Sequence, residues 1–192
     1  MPGIATANES TVKNLLAAYE GESNASAKYT AFSAKADAEG YHGAASLFRA
    51  CARAEAIHAA NHARVIKALG GEASYTLHHI DVKGTLDNLK TALAGELYEV
   101  NTMYPEFLEE ARAQGNRAAV RTFDDAMEAE KTHARLYSEA IALVEAAKKD
   151  SWAVAARDFY VCPVCGYTSE SPDEHERCPV CSIKWERFEV IR

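Results

Sequence analysis

Residues 123–144 read FDDAMEAEKTHARLYSEAIALV, and the reading of this stretch decides the fold. Phe123, Glu130, Tyr137 and Val144 recur every seven residues, a repeat that drifts by only about 20° per step on an α-helix and so keeps all four on one stripe. Glu130 therefore points where its apolar neighbours point. His133, three residues on, lies on the same face within reach of the same point. A carboxylate buried alone is costly, so a Glu fixed in a core stripe requires a compensating cation or a proton.

Working outward, three more segments carry helical patterns of the same kind. Ser10 to Glu39 places Leu15, Tyr19, Glu22, Ser26 and Tyr29 on one stripe and ends at Gly40. Gly43 to Leu69 aligns Phe48, Cys51, Glu55, His58, His62, Val65 and Leu69 and stops at Gly70-Gly71. Gly84-Thr85 opens a third helix with Leu86, Leu89, Leu93, Glu96, Glu99, Met103 and Phe107. Pro105 should bend it locally, and Gly115-Asn116 ends it and starts the fourth, which runs to about Lys149. Between them, Glu72 to Lys83 has no clear period and reads as a long crossover joining parallel helices, with His78 and His79 at the surface.

The two halves resemble each other. Gly21-Glu22 precedes Glu55-x-x-His58 by 33 residues, counted from the Glu, and Gly95-Glu96 precedes Glu130-x-x-His133 by 34. A duplicated helical hairpin with approximate two-fold symmetry gives this pattern, and Glu99 is then an extra carboxylate with no counterpart at Ala25. Two Glu-x-x-His pairs with the single acids Glu22 and Glu96 form the ligand pattern of ferritin-like di-iron and di-manganese bundles. Four carboxylates offset most of the charge of two divalent cations, and imidazole with carboxylate suits iron and manganese. By the pseudo-symmetry Glu99 approaches the same metal as His58, the carboxylate suiting a ferric ion and the imidazole a ferrous one. Tyr29 and Tyr104, about two turns beyond Glu22 and Glu96, either hold ligand carboxylates or are core aromatics. His62 also points inward and reads as a packed neutral histidine beside the ligands rather than as a ligand. Cys51 reads as a small core residue.

The chain has 192 residues and a net charge of −7 with no Lys/Arg cluster, which argues against a nucleic-acid partner. MPGIATANES has no basic region followed by an apolar run, and no segment approaches the ~18 apolar residues of a membrane span. A cytoplasmic protein with no membrane association is expected. Four of the five cysteines, Cys162, Cys165, Cys178 and Cys181, form two C-x2-C pairs with twelve residues between them. That is tetrahedral thiolate spacing, which zinc and a single iron both satisfy. The piece around it is too small to fold on apolar burial and needs its metal. The expected organisation is a bundle over 1–149, a linker over 150–158 and a four-cysteine module over 159–192. A flexible linker of that length spans about 16 to 19 Å, so contact between chains of a homodimer or higher homo-oligomer is expected.

GES at Gly21 to Ser23, the Glu55 and Glu130 pairs, AGELYEVNTMYP from Ala94 to Pro105, and CPVCGY and CPVC at the end together resemble the rubrerythrins along nearly the whole chain. The resemblance implies a mainly α protein, a ferritin-like four-helix bundle followed by a rubredoxin-like domain. It implies reduction of hydrogen peroxide to water at a di-iron centre, fed by a four-cysteine iron, usually across a dimer interface, with electrons from an unidentified reductase or NAD(P)H-linked system. It further implies that Glu22, Glu55, Glu96, Glu99, Glu130 and His133 bind the oxidised iron pair, with His58 replacing Glu99 on reduction. The Ala-rich surroundings of the first pair, Arg53 to Ala60, with His62 added, depart from the family pattern. Two other readings stand beside this one: an oxygen-using iron oxidase or iron-handling protein on the same metals, and a non-catalytic metal-binding protein with a zinc ribbon.

Overall fold

The structure is a computed structural model that describes residues 9–147, 151–171 and 176–192. The expected end of the fourth helix at Lys149 and the first linker residue, Asp150, lie outside the described residues, as do Met1 to Asn8 and Pro172 to His175. The molecule is mainly helical, with a small sheet at its C-terminal end.

Helices α1 (Glu9–Ala38) and α2 (His42–Ala68) form one hairpin. The other consists of α5 (Arg117–Glu145) and a third rod made of α3 (Thr85–Tyr98), a π-helical turn (Glu99–Met103) and α4 (Tyr104–Ala113). Two apolar clusters fill the interior. One joins Phe32, Phe48, Leu89, Leu136 and Tyr137, and the other joins Leu15, Ile66, Leu108, Ala119 and Phe123. Both α2 and the third rod run from the first cluster to the second, so they are parallel, as a long crossover requires. The acidic and imidazole side chains lie in the layer between the clusters.

Local chemistry sets the helix ends. The Glu39 carboxylate, just past α1, accepts from the Thr85 N–H at 2.8 Å and hydroxyl at 2.6 Å, so the end of one hairpin caps the start of the other. These bonds, with Lys35, bring Glu39 down to about 2. The Asn116 side chain caps α5 by accepting from the Ala119 N–H at 3.0 Å. The crossover is tied to α1 by Asn24, whose amide donates to the Thr76 carbonyl and accepts from the His78 N–H. His78 and His79 are exposed, as expected.

Pro105 does more than bend its helix. It sits at the start of α4, directly after the π-turn. Proline cannot donate to the carbonyl four residues back and its ring collides with it, and a wider turn removes that conflict. The turn also adds one residue. Glu22 and Tyr29 are seven apart on α1, whereas Glu96 and Tyr104 are eight apart on the third rod, yet both tyrosines are buried on the inner face.

Beyond α5, the described part of the expected flexible linker is pinned. The carbonyls of Ala153 and Val154 accept from the Ala44 and His42 N–H groups at 3.0 Å, satisfying the open start of α2. The Trp152 carbonyl passes 1.6 Å from where a Cβ on Gly43 would lie, so only glycine admits this contact. After it come strands β1 (Phe159–Val161), β2 (Thr168–Ser169) and β3 (Glu189–Ile191), an antiparallel sheet in the order β2-β1-β3, with Val161 opposite both Thr168 and Glu189. Among the described residues no helix is long and apolar enough to cross a membrane.

Candidate metal centres

Each helix delivers its expected groups to the middle layer. Glu22 comes from α1, Glu55 and His58 from α2, Glu96 from α3, and Glu130 and His133 from α5, all of them essentially inaccessible to solvent. They fall into two overlapping sets whose ligand atoms lie within 4.8 Å of one another: Glu22, Glu55, His58 and Glu130, and Glu55, Glu96, Glu130 and His133. Glu55 and Glu130 belong to both. Glu130 presents Oε1 to His58 Nδ1 at 2.7 Å and Oε2 to His133 Nδ1 at 2.6 Å. Glu55 presents Oε2 to His58 Nδ1 at 2.9 Å and Oε1 to His133 Nδ1 at 3.5 Å.

Glu99 is in neither set. It opens the π-turn, half-buried, and burial together with Glu22 and Glu130 pushes its carboxyl well above the usual range. Tyr29 and Tyr104 do hold carboxylates, each across the bundle. The Tyr29 hydroxyl donates to Glu96 Oε1 at 2.6 Å, and the Tyr104 hydroxyl donates to Glu22 Oε1. His62 is fully buried and is not a member of either set. Its Nε2 meets the Tyr104 hydroxyl at 3.1 Å and its Nδ1 meets Thr122 Oγ1 at 3.0 Å. Burial and the charge of His58 bring it down to about 3, so it is neutral.

The C-terminal module closes over the layer and fixes both ligand-type imidazoles from outside. His58 Nε2 donates to the Cys165 carbonyl at 2.9 Å. The Thr168 hydroxyl donates to the Gly166 carbonyl at 3.0 Å, so its oxygen accepts from His133 Nε2 at 3.0 Å. With Nε2 committed as the donor in each ring, Nδ1 is the atom left to face the carboxylates. A Cβ on Gly166 would lie 2.3 Å from His58 Nε2, and this residue has φ +79, so both the space and the backbone require glycine. Asn61 donates to the Val164 carbonyl at 2.8 Å, and Arg53 pairs bidentately with Glu189 at 2.6 and 2.8 Å. Sequence spacing missed Thr122, Thr168 and the Cys165 carbonyl. None of the three lies on a periodic core stripe that singles it out.

Electrostatics make the layer intolerant of its own charge. Burial, and then Glu55 and Glu130, push Glu22 and Glu96 well above the usual carboxylate range. Burial would raise Glu130 too, but the two imidazoles overcome it and hold it below that range. Burial opposes charge on His58, yet Glu130 and Glu55 raise it to about 10. Glu22 Oε2, Glu55 Oε1, Glu96 Oε2, both Glu130 oxygens and His133 Nδ1 are buried without a well-aligned hydrogen bond, the close Glu130–imidazole approaches being ion-pair contacts only. Native interiors leave only a few such atoms per 100 residues. Six converging on one layer fit a pair of cations.

In the module, Cys162, Cys165, Cys178 and Cys181 gather with all four sulfurs within 4.8 Å of one another and with no disulfide. Cys162 Sγ lies 3.4 Å from Cys181 Sγ, and Cys165 Sγ lies 3.5 Å from Cys178 Sγ. Tyr167 and Phe188 pack against these cysteines, Trp185 stacks on Phe188 at 3.9 Å between centroids, and Tyr160 lies against Trp185. Four thiolates at these separations are the donor set of a tetrahedral metal. Cys51, fully buried, is a core residue as expected, its thiol pushed up chiefly by burial.

The rubrerythrin family profile matches residues 13–141, and that of the "Rubrerythrin, rubredoxin-like domain" matches 160–189. Rubrerythrin-2 of Clostridium acetobutylicum is 38% identical over 186 residues, which cover 96% of this chain and 98% of that protein. Nigerythrin of Nitratidesulfovibrio vulgaris is 39% identical over 177 residues, 92% of this chain and 84% of that protein. A solved structure of nigerythrin in a mixed-valence state superposes with a TM-score of 0.84 at 34% identity, covering 94% of this chain and 86% of that one. The bundle is ferritin-like, its glutamate and histidine clusters suit a di-iron centre and its four cysteines form a rubredoxin-like site. The chain therefore belongs to the rubrerythrin family.

Proposed function

We propose that the protein is a peroxide reductase that reduces hydrogen peroxide to water at the bundle centre, with electrons relayed from the four-cysteine site. The observation that carries this reading is the placement of His58. One face of its ring system, Nδ1, lies among Glu55 and Glu130, and the other, Nε2, donates to the carbonyl of Cys165, itself a thiolate of the C-terminal site. A single imidazole thus joins the two metal-type donor sets, which suits electron transfer and has no purpose in a separate zinc ribbon.

Glu22, Glu55, His58, Glu96, Glu130 and His133 would hold paired irons in the bundle, and Cys162, Cys165, Cys178 and Cys181 a single iron in the module. When bound, these irons supply the two electrons that cleave the O–O bond of hydrogen peroxide. The residues of the chain do the rest. Glu55 and Glu130 span both halves of the centre and hold its geometry. Cys165 and Thr168 hold the two imidazoles with Nδ1 inward. Tyr29 and Tyr104 keep Glu96 and Glu22 from rotating. Glu99, half-buried on the π-turn, would be the carboxylate that holds the oxidised iron in place of His58. The electron donor is an outside reductase or an NAD(P)H-linked system.

The test is a comparison of initial rates in iron-loaded, fully reduced protein mixed with hydrogen peroxide or with oxygen. Faster reoxidation by peroxide is expected. Faster reoxidation by oxygen would assign the centre to iron oxidation instead, and colourless protein with stoichiometric zinc at the four cysteines would remove the electron relay.

A further inference from the structure

His62 points into the core beside the metal-type layer without belonging to it, and its two ring nitrogens have different partners. The Tyr104 hydroxyl has one proton, and it donates that proton to Glu22 Oε1 in a hydrogen bond. The Tyr104 oxygen is then an acceptor toward His62 Nε2, 3.1 Å away, which makes Nε2 the protonated nitrogen. Nδ1 of the neutral ring is consequently bare, and it accepts the hydroxyl proton of Thr122 at 3.0 Å. Every donor in the chain Thr122, His62, Tyr104, Glu22 points the same way. Glu22 uses Oε1 for this chain and leaves Oε2 unpartnered, facing the layer.

The outer end opens toward solvent. Thr122 is 7% exposed and lines a cleft of about 370 Å³ whose other walls include Asn61, Arg64, Arg121 and Asp125. The opposite half of the bundle has no such path among the described residues. There the position 75 residues on from His62 is Tyr137, and the one corresponding to Thr122 is Leu47, fully buried. Tyr137 packs its ring against Tyr29 at 5.6 Å, and its hydroxyl has no hydrogen-bond partner.

We propose that Thr122, His62 and Tyr104 form a one-directional wire that carries protons from the cleft to Glu22; the proposal rests on the peroxide-reducing reading and names how that reaction is supplied with protons. In one passage Glu22 Oε1 takes the Tyr104 proton, Tyr104 takes the proton of His62 Nε2, His62 Nδ1 takes the Thr122 proton, and Thr122 Oγ1 takes a proton from water in the cleft. Each intermediate group gains one proton and loses one, so none ends with a changed charge, no electron moves, and the net transfer is one proton from cleft to carboxylate. Cleaving one molecule of hydrogen peroxide to two of water consumes two protons, hence two passages; between them His62 returns from the Nδ1–H to the Nε2–H tautomer and the Tyr104 and Thr122 hydroxyls turn back to their starting partners. His62 and Thr122 act through Tyr104 and are positioning residues.

Two measurements on the full chain test this. In zinc-loaded protein, ¹⁵N NMR of the histidines should find His62 as the Nε2–H tautomer with a slowly exchanging proton, and Thr122→Val should speed that exchange. A His62 protonated at Nδ1 alone would overturn the wire. In iron-loaded, reduced protein mixed with hydrogen peroxide, Thr122→Val and His62→Phe should slow reoxidation by about 100-fold and abolish its dependence on D2O. Thr122→Ser should restore both, and Tyr137→Phe, on the opposite half, should retain the wild-type isotope effect. A Thr122→Val variant with wild-type rate and isotope effect would overturn the proposal. A wild-type chain that shows the Nε2–H tautomer when zinc-loaded but does not turn over peroxide when iron-loaded would instead sink the peroxide reading and leave the wire standing.

Discussion

The two halves of the bundle repeat one device and then diverge behind it. On one side Tyr104 holds Glu22 and is backed by His62, Phe123 and Thr122. On the other Tyr29 holds Glu96 and is backed by Tyr137 and Phe48. Aromatic rings fill the corresponding positions in both, so the packing is conserved between the halves while the hydrogen bonding is not. The lesson is that duplication preserves the volume and the metal-facing groups, and that a single exchange of Tyr for His behind them, with Thr in place of Leu, gives one half a polar exit.

The strongest way to break this comparison is at the residues both halves share. Glu130→Gln should abolish metal binding on both sides, seen as loss of both bundle ions in metal analysis. It should also destabilise the metal-free chain by about 3–5 kcal/mol, since two buried imidazoles lose their counter-charge. Glu22→Gln or Glu96→Gln should each impair one side, and should leave the stability of the metal-free chain nearly unchanged or higher, because burial already disfavours charge on those carboxyls. Equal destabilisation by all three would remove the distinction between shared and private acids.

Acidity gives the next largest effect. Glu22 and Glu96 are raised in the folded chain, so their contribution is fully present below the ordinary Glu value and is lost as pH rises toward their raised values. His58, raised to about 10, contributes below its ordinary value of 6.5 and is lost as pH climbs through 10. Both act in one direction, and His62, held down to about 3, opposes them only below its ordinary value of 6.5, so the melting temperature of metal-free protein should fall between about pH 6.5 and 9. Metal-loaded protein should show the opposite slope, because the ligands bind metal only when deprotonated. Parallel profiles for the two forms would contradict the metal assignment.

Two changes in the C-terminal module sharpen the comparison by addressing one imidazole each. Thr168→Val leaves the buried His133 N–H without its acceptor, a cost of about 1–3 kcal/mol, and should weaken metal binding on the Glu96 side roughly 10–100-fold. Gly166→Ala acts on the Glu22 side instead. It places a methyl against the His58 ring at a left-handed backbone position, costing about 1–3 kcal/mol. It should slow electron delivery to the bundle while leaving the visible spectrum of the four-cysteine iron intact. Smallest is Arg53→Ala, which removes the pair with Glu189. Those side chains are 41% and 34% exposed, so melting should report at most about 1 kcal/mol, vanishing in high salt.

Much of the centre could be read directly. A Glu on an apolar stripe, repeated at matched positions in two halves, announces a buried charge and hence a cation, and Glu22, Glu55, His58, Glu96, Glu130 and His133 all reach the layer. Periodicity also places Glu99 on that face; it opens the π-turn, its carboxyl feels Glu22, Glu130, Glu96 and Glu55, and it stands outside the two close-packed ligand sets. Thr122 and Thr168 escaped notice because a threonine beside a core stripe, or in a two-residue strand, carries no periodic signal. The mismatch of His62 with Tyr137 under the 75-residue repeat was the available clue to the first. The docked linker was equally hidden, since its hydrogen bonds to α2 are made by backbone carbonyls that any residue supplies.

By itself the sequence determined the four amphipathic rods, the identity of the ligand-type residues and the thiolate module, because burial of charge and metal-ligand spacing are written in residue type and period. Only the tertiary structure decided which imidazole nitrogen faces inward, that the module reaches its own bundle through Cys165 and Thr168, and that Thr122 connects His62 to a cleft. Those properties depend on directional bonds between groups far apart in the chain, and direction is not a function of composition or spacing.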